Sequence, residues 1–446
     1  MTQGNAAPGN AAPGNAAPGN AASGNAPPGN TALEARTAIE ALRSGVPNRA
    51  AVRLMGTEEP ALEHAFDEHL QRVWAEPAHG GLGFAGGFGT GKSHFLGYLS
   101  EVARAQTFVV SRVVVSKDMP LSDPARVFEA AVRSATLPDR HDDAITAALD
   151  ILRQSHEKAE RLETALAHAG DELAPLFSAL LFLIRRESLS PAVNRQIERF
   201  LGGGKIRGAD VRQALTEVGG RRKFDLRMPP AAVLLEQRIK FLAALFHAAG
   251  YAGWCLLFDE IELIGRYTPL RRAGAYAWLA RWMGMEDAPG FPGPGFPGII
   301  AAYAITDDFV TAVIDEREDE TRLTERLRLK DRHQDARLAL VAMRHIAQTV
   351  RARRLRQPGV EELTRASLRL GEIYRTAYGW ETPEPEAVER TATRTMRQYI
   401  KGWITEWDMR RLTGDVSRIV AEEITANYAE DDAASTPSEE EGDEGE

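Results

Sequence analysis

The stretch Gly81-Leu-Gly-Phe-Ala-Gly-Gly-Phe-Gly-Thr-Gly-Lys-Ser-His-Phe-Leu96 contains the full pattern G-x-x-x-x-G-K-S. An apolar run typical of a strand precedes its glycines, and an apolar run typical of a helix follows them. Glycines in such a loop let the backbone turn tightly and direct successive N–H groups at one point, where phosphate oxygens can accept them. The helix that starts near Lys92 adds the positive end of its dipole to the same point. The stretch therefore predicts a P-loop, a cradle for nucleotide phosphates.

Within this motif the lysine and the serine have separate roles. Lys92 is expected to reach the β- and γ-phosphates of ATP, and the Ser93 hydroxyl is expected to bind the accompanying Mg²⁺. The candidate nucleotide-binding residues are Gly86, Gly87, Phe88, Gly89, Thr90, Gly91, Lys92, Ser93 and His94. A glycine-rich loop can match the pattern by chance, but the flanking strand and helix and an acidic strand end downstream all agree with a P-loop.

That acidic strand end is the second motif. The run Gly253-Trp-Cys-Leu-Leu-Phe-Asp-Glu260 is apolar, has the length of a buried strand and ends in two acids, as a Walker B strand does. We expect Asp259 to hold Mg²⁺ through its water shell and Glu260 to act as general base on the attacking water. The alternative is a strand that merely ends in solvated acids.

Three further polar positions are candidates for contact with the γ-phosphate. Thr306 follows the apolar run Ile299–Ile305 and is a candidate sensor 1 residue, although a helix N-cap is an alternative role. Arg326, in the cluster with Arg322 and Arg328, is the candidate arginine finger for a neighbouring subunit, and a solvated helix face is the commoner meaning of such a cluster. Arg394, near the start of a predicted amphipathic helix, is the candidate sensor 2 residue or else a surface arginine.

The composition indicates a soluble, cytoplasmic protein. Cys255 is the single cysteine, so neither a disulfide framework nor a CxxC zinc site is available. No apolar run approaches the ~20 residues of a membrane span, and we expect no membrane partner. The net charge is −9, and residues 430–446 hold nine acids without a base, so the rest of the chain is balanced in charge.

The pattern along the chain predicts an α/β fold with a parallel sheet flanked by helices. Because many residues separate the P-loop from Asp259, a helical insertion is expected at about 137–235. The expected segments are a disordered Gly-Asn-Ala-Pro repeat (1–30), an N-terminal helical segment (31–75), a P-loop ATPase core (76–330), a C-terminal helical lid (331–427) and an acidic disordered tail (428–446).

The order of these motifs over residues ~80–410 resembles that of the AAA+ class of ATPases, a branch of the P-loop NTPases. More narrowly, Leu42-Arg-Ser-Gly-Val-Pro47, Gly86–Leu96 and Phe258-Asp-Glu-Ile-Glu262 resemble the ATP-binding BrxC/BrxD-like proteins of BREX phage-defence systems, and the length is closer to BrxD. The resemblance implies an ATPase in an antiviral complex, with other phage-defence proteins as partners and double-stranded DNA as a candidate target. A homo-oligomer in ATP is expected if the arginine finger acts across subunits. The repeat and the acidic tail depart from the family pattern and leave any terminal partner unknown.

Three functions remain open at this point. The first is a Mg²⁺-dependent AAA+ ATPase that couples hydrolysis to conformational work in a phage-defence complex. The second is a nucleotide-dependent scaffold or switch that hydrolyses slowly. The third is an ATPase like a replication initiator or helicase loader, which would need a DNA-reading module after the lid. Glu260 beside Asp259 favours hydrolysis.

Removing residues 1–30 should leave the melting temperature and the affinity for ATP nearly unchanged. The repeat has no apolar side chain larger than alanine, proline or the initiating Met1, so it cannot contribute a core. Thermal unfolding and an ATP titration of the shortened chain test this expectation, and a large drop in melting temperature would show that the repeat belongs to the fold.

Overall fold

The computed structural model describes residues 28–414, except 47, 75–80, 141, 187, 286–294 and 384–393. Most of the predicted N-terminal repeat and the whole acidic tail lie outside the described residues, as does Pro47 of the family-like stretch. Within the described part, four parallel strands form one sheet, and helices cover both of its faces. The predicted α/β class with a parallel sheet is therefore confirmed.

The sheet has the order β1-β4-β3-β2. The strands are β1 (Leu82–Ala85), β2 (Val109–Val114), β3 (Trp254–Asp259) and β4 (Ile299–Ile305). Every pair is parallel, with Ala85 opposite Ile305 and Val114 opposite Asp259. Because all strands run the same way, the residues that follow β1, β3 and β4 meet at one edge of the sheet.

The outer side of β1 is partly covered by the chain near Arg354. The Ala85 N–H donates to the Arg353 carbonyl, and the Leu355 N–H donates to the Ala85 carbonyl, both at 2.8 Å. Arg354 thus forms a single parallel bridge to β1. This bridge ties the C-terminal part of the chain to the strand that carries the glycine-rich loop.

Helices account for the rest of the regular structure. The α-helices are α1 (Pro28–Ser44), α2 (Arg49–Met55), α3 (Pro60–Gln71), α4 (Lys92–Ala105), α5 (Pro124–Arg133), α6 (Ala144–Gln154), α7 (His156–Ala169), α8 (Pro175–Ile184), α9 (Pro191–Leu201), α10 (Gly208–Glu217), α11 (Ala231–Ala249), α12 (Pro269–Met283), α13 (Asp319–Leu329), α14 (His333–Ala352), α15 (Val360–Tyr378) and α16 (Met396–Thr413). A 3₁₀ helix, Ile261–Arg266, follows β3, and a π-helix, Val310–Asp315, follows β4. Helices α5 to α11 all lie between β2 and β3 in the chain. None of the helices in the described ranges has both the length and the apolar character that crossing a membrane would require.

The two faces of the sheet belong to different hydrophobic cores. On β3, Trp254, Leu256 and Phe258 pack into the larger core, which extends over helices α5 to α14. Cys255 and Leu257 point the other way, into a smaller core with α3 and α4. Burial on both faces explains why this strand is continuously apolar rather than alternating.

A third core joins the two ends of the described chain. Helices α1 and α2 pack against α15 and α16, with Ile39, Met55, Tyr374 and Trp407 among the buried residues. Tyr374 also donates a hydrogen bond to Asp408, at 2.7 Å. The N-terminal and C-terminal helices thus form one layer, which lies beside α4 and the glycine-rich loop.

Asp319→Ala should destabilise the fold strongly. Arg272 of α12 donates two hydrogen bonds to Asp319 at the start of α13, and the side chains are only 3% and 1% exposed. Removing the acid breaks a buried ion pair, which typically costs about 3–5 kcal/mol. Urea unfolding measures this loss, and Glu157→Ala, which removes an exposed pair with Arg161, is the control. Equal losses in the two variants would contradict the role assigned to the buried pair.

Candidate nucleotide-binding site

The glycine-rich loop connects the end of β1 to the start of α4. Its first residue, Gly86, donates its N–H to the carbonyl of Ile305 at the end of β4, at 3.0 Å. Gly89 and Gly91 have φ of 77° and 101°, a left-handed conformation that side chains other than glycine adopt at a cost. Gly91 is the N-cap of α4, so the positive end of this helix points into the loop.

Lys92 lies across the loop that precedes it. Its ammonium donates to the carbonyls of Gly86 (2.9 Å) and Gly87 (3.2 Å). The same nitrogen is 3.8 Å from a carboxyl oxygen of Glu262 and 5.7 Å from the centre of the Phe88 ring. The ammonium therefore sits at the point toward which the loop turns.

Asp259, at the end of β3, is held by two protein donors. Its Oδ1 accepts from the Glu260 N–H at 3.1 Å, and its Oδ2 accepts from Arg112 Nη2 at 2.6 Å. The same arginine nitrogen lies 3.3 Å from the Ser93 carbonyl oxygen. One guanidinium on β2 thus contacts both residues predicted to bind metal. Sequence reasoning missed Arg112, although a single charged residue inside a valine-rich strand is a detectable signal.

The residues here suit Mg²⁺ bound together with a nucleotide. A serine hydroxyl and a carboxylate are hard oxygen ligands, and Mg²⁺ usually completes its shell with waters and substrate phosphates rather than with a protein cage. Within the described ranges, no cluster of three or more His, Cys, Asp or Glu side chains could hold a metal by itself. Ser93 and Asp259 fit a metal that arrives with phosphate in their chemistry, and Arg112 Nη2 contacts both the backbone carbonyl of Ser93 and the carboxylate of Asp259.

Glu260, the residue after Asp259, has a strained backbone conformation. Its φ of 60° and ψ of 35° place it in the left-handed region, as N-cap of the 3₁₀ helix that follows β3. Such conformations in residues other than glycine cost of order 1 kcal/mol and are frequent at functional sites. Partial burial, and then the negative charge of Asp259, raise the pKa of the Glu260 carboxyl, while Arg112 and Lys92 oppose the rise.

Glu262 is a second acid at the site, and sequence reasoning gave it no role. Its side chain is buried, only 8% of the residue is exposed, and Oε2 has no hydrogen-bond partner. Burial raises the pKa of this carboxyl to about 7, although the nearby Lys92 lowers it. A buried carboxyl with a pKa near neutrality beside Lys92 is a candidate acid or base.

The end of β4 supplies two more polar residues. Thr306 is buried, with 2% of its surface exposed. The Asp307 carboxyl faces the loop, because a Cβ placed on Gly87 would lie 3.9 Å from both of its oxygens. Asp307 is therefore directed at the glycine-rich loop, whereas Thr306 is buried.

His94 links the loop to the N-terminal helices. Its Nε2 makes a 2.7 Å hydrogen bond with the Gly56 carbonyl, at the C-terminal end of α2. Burial lowers the pKa of the imidazole. In the neutral form Nε2 carries the proton and donates to Gly56, so His94 fixes the segment after α2 beside the P-loop helix.

A cavity of about 450 Å³ opens next to the loop. Its walls come from three parts of the chain: residues 41–45 and 55–59 of the N-terminal helices, residues 89–95 of the loop and α4, and residues 355–372 and 396–400 of the C-terminal helices. The N-cap of α16, Thr395, closes against the loop, because a Cβ on Gly89 would lie 2.7 Å from its hydroxyl. The volume of the cavity lies within the range of small-molecule and cofactor sites.

Neither of the two predicted arginines, Arg326 and Arg394, lines this cavity, whereas Arg397, which was not predicted, does. Arg397 of α16 lines it, and its N–H lies 3.4 Å from the Gly89 carbonyl. Arg394 stands just before α16, where its guanidinium is 5.8 Å from the centre of the Tyr399 ring, and it does not line the cavity. Arg326 is exposed on α13, away from the cavity walls.

Lys92→Ala should weaken ATP binding by roughly 10- to 100-fold, because a charged hydrogen-bond donor to phosphate contributes about 1.5–3 kcal/mol. Calorimetric titration of ATP into the folded variant measures the change. Lys330→Ala, which removes an exposed lysine at the end of α13, is the matched control and should bind as the wild type does. Unchanged affinity in Lys92→Ala would remove the P-loop from the account.

A family model matches the N-terminal part of the chain. Residues 31–172 match the model of a family described as BREX system ATP-binding protein BrxC/D. The match spans α1 to α7 and so includes the glycine-rich loop, but less than half of the chain. No curated protein matches this chain. No solved structure matches it either. The similarity to BrxC/D therefore covers the part of the chain that carries the glycine-rich loop.

Proposed function

We propose that this chain is a Mg²⁺-dependent ATPase of the AAA+ class in a BREX-type phage-defence system. The observation that carries the proposal is the cavity beside the P-loop, whose walls are the loop, the N-terminal helices and the C-terminal helices. The family match over the P-loop region supports ATP as the ligand. The sheet order, with the Walker B strand separated from β1 by β4, and the bridge from Arg354 to β1 are both compatible with the AAA+ class.

In this proposal ATP spans the loop and the cavity. Its phosphates take the position now faced by the loop N–H groups and by Lys92, which exchanges its bonds to the Gly86 and Gly87 carbonyls for phosphate oxygens. The base and ribose enter the cavity, between the segment after α2 and helices α15 and α16. Backbone groups near Gly56 and the apolar side chains of Met55 and Ile400 are suited to an aromatic base.

Hydrolysis then needs a base and a way to neutralise the phosphate charge. Ser93 and Asp259 would hold Mg²⁺, which supplies charge neutralisation on the phosphates when bound. Glu260 accepts the proton of the attacking water as general base. Thr306 and Asp307 follow β4, where a sensor residue would contact the γ-phosphate or this water.

The cavity also explains how nucleotide state could reach partner proteins. Helices α1, α2, α15 and α16 share one core, so a ligand that contacts both the loop and this helical layer biases their relative position. Lid motions of this type are a common output of ATP hydrolysis. We propose that other phage-defence proteins or double-stranded DNA respond to this motion.

The proposal includes a homo-oligomer in ATP. Arg326 and Arg328 are exposed on α13 and do not line this chain's own cavity, so either could act only on the nucleotide of a neighbouring subunit. Arg322 of the same helix is paired with Glu318 at 2.8 Å. If an arginine contacts the nucleotide of its own subunit, we propose that it is Arg397 or Arg394.

One observation favours the slowly hydrolysing switch as a second candidate. Asp259, the expected metal-binding acid, is paired with Arg112. An enzyme whose metal-binding acid is paired in this way would turn over slowly until a partner or nucleotide rearranges it. Both candidates share ATP binding and differ in the rate of hydrolysis.

Glu260→Gln should leave Mg-ATP binding intact and lower the single-turnover rate of hydrolysis by roughly 10²–10⁴-fold, because the amide keeps the size of the side chain but is not a base. Glu262→Gln is the matched control, since it makes the same chemical change two residues away. We expect a smaller loss for Glu262→Gln. Mass distributions in ATP, recorded on the same samples, test whether the trapped state is oligomeric.

The opposite ranking of the two variants would transfer the role of base to Glu262. Equal rates in wild type, Glu260→Gln and Glu262→Gln would contradict hydrolysis by either carboxylate. A wild type that binds ATP without turnover, even with duplex DNA and partner proteins, would support the switch.

A further inference from the structure

Arg112 occupies an unusual place for a cation. It lies on β2, the strand next to β3, between Ser111 and a buried valine in a strand whose other residues are all valines. Its side chain is about one-third exposed, while its Nε is buried and has no hydrogen-bond partner. The contacts of Nη2 therefore hold the guanidinium in position, and its Nε contributes no hydrogen bond.

Those contacts join the two residues that would hold the metal. Nη2 donates to Asp259 Oδ2 at 2.6 Å and lies 3.3 Å from the Ser93 carbonyl oxygen. The Asp259 side chain is only 5% exposed, so its charge is compensated mainly by this arginine rather than by water. The Glu260 N–H donates to the other carboxyl oxygen.

We propose that Arg112 is a positioning residue that competes with Mg²⁺ for Asp259, so that metal and nucleotide together must displace the guanidinium from Oδ2. The inference rests on the proposed function, because it concerns the metal that accompanies ATP. Its physical basis is that two cations cannot share a nearly buried carboxylate without repelling each other. Arg112 thereby keeps the acid in place before the nucleotide binds, and it makes tight metal binding depend on the phosphates.

A purely structural ion pair is the competing explanation, and the two make different predictions. If Arg112 only stabilises the fold, its loss should lower the melting temperature by the same amount with and without Mg²⁺. If Arg112 competes with the metal, its loss leaves a buried carboxylate that Mg²⁺ can compensate. The variant should then gain more stability from the metal than the wild type gains.

The test is a calorimetric titration of Mg²⁺ into the full chain saturated with the non-hydrolysable analogue AMP-PNP. Arg112→Met should bind Mg²⁺ roughly 5- to 10-fold more tightly than the wild type, as expected for the loss of about 1 kcal/mol of charge repulsion. Thermal unfolding should show a larger increase in melting temperature on adding Mg²⁺ and AMP-PNP. Arg104→Met is the control, because Arg104 contacts Glu101 and Thr136 and not the site.

Arg112→Gln is the second variant in case Arg112→Met does not fold. Its amide keeps N–H donors for Asp259 while removing the charge. It should also bind Mg²⁺ more tightly than the wild type, by a smaller factor than Arg112→Met. Equal or weaker Mg²⁺ binding in the folded variants would overturn the competition. A wild type that binds neither AMP-PNP nor Mg²⁺ would overturn the proposed function and this inference with it, so the two failures are distinguishable.

Discussion

The parallel pairing of β1, β4 and β3 is the constraint on which the candidate site depends. It places the glycine-rich loop, Asp259 and the residues after β4 at one edge of the sheet, and the hydrogen bond from Gly86 to Ile305 ties the first loop residue to the neighbouring strand end. Burial of β3 on both faces keeps the strand, and therefore the acids at its end, in a fixed position. The site chemistry is thus set by strand register rather than by mobile loops.

The cavity beside the loop depends on both ends of the described chain. Helices α1 and α2 form one wall and α15 and α16 the other, and the four share a hydrophobic core. His94 and Thr395 connect this layer to α4 and the loop. A ligand that spans loop and cavity therefore contacts two cores at once, which provides a physical route from nucleotide state to the arrangement of the helices.

Local patterns predicted much of this structure from the sequence. The glycine spacing identified the loop, and continuous apolar runs located β3 and β4 to within a residue or two. What the sequence could not supply is the pairing across the sheet. Arg112 lies far from Asp259 in the chain and meets it only because β2 and β3 are neighbours. The sequence shows Glu262 two residues after Glu260. Its burial next to Lys92, however, depends on how the 3₁₀ helix after β3 turns.

The central claim is that one nucleotide contacts the loop and both walls of the cavity. Hydrogen–deuterium exchange of the full chain, with and without Mg-AMP-PNP, tests it most directly. The account predicts new protection in three separated segments, at residues 41–59, 86–95 and 355–372, with little change in helices α6 to α10. Protection confined to the loop, or protection in the helices between β2 and β3 instead, would contradict it.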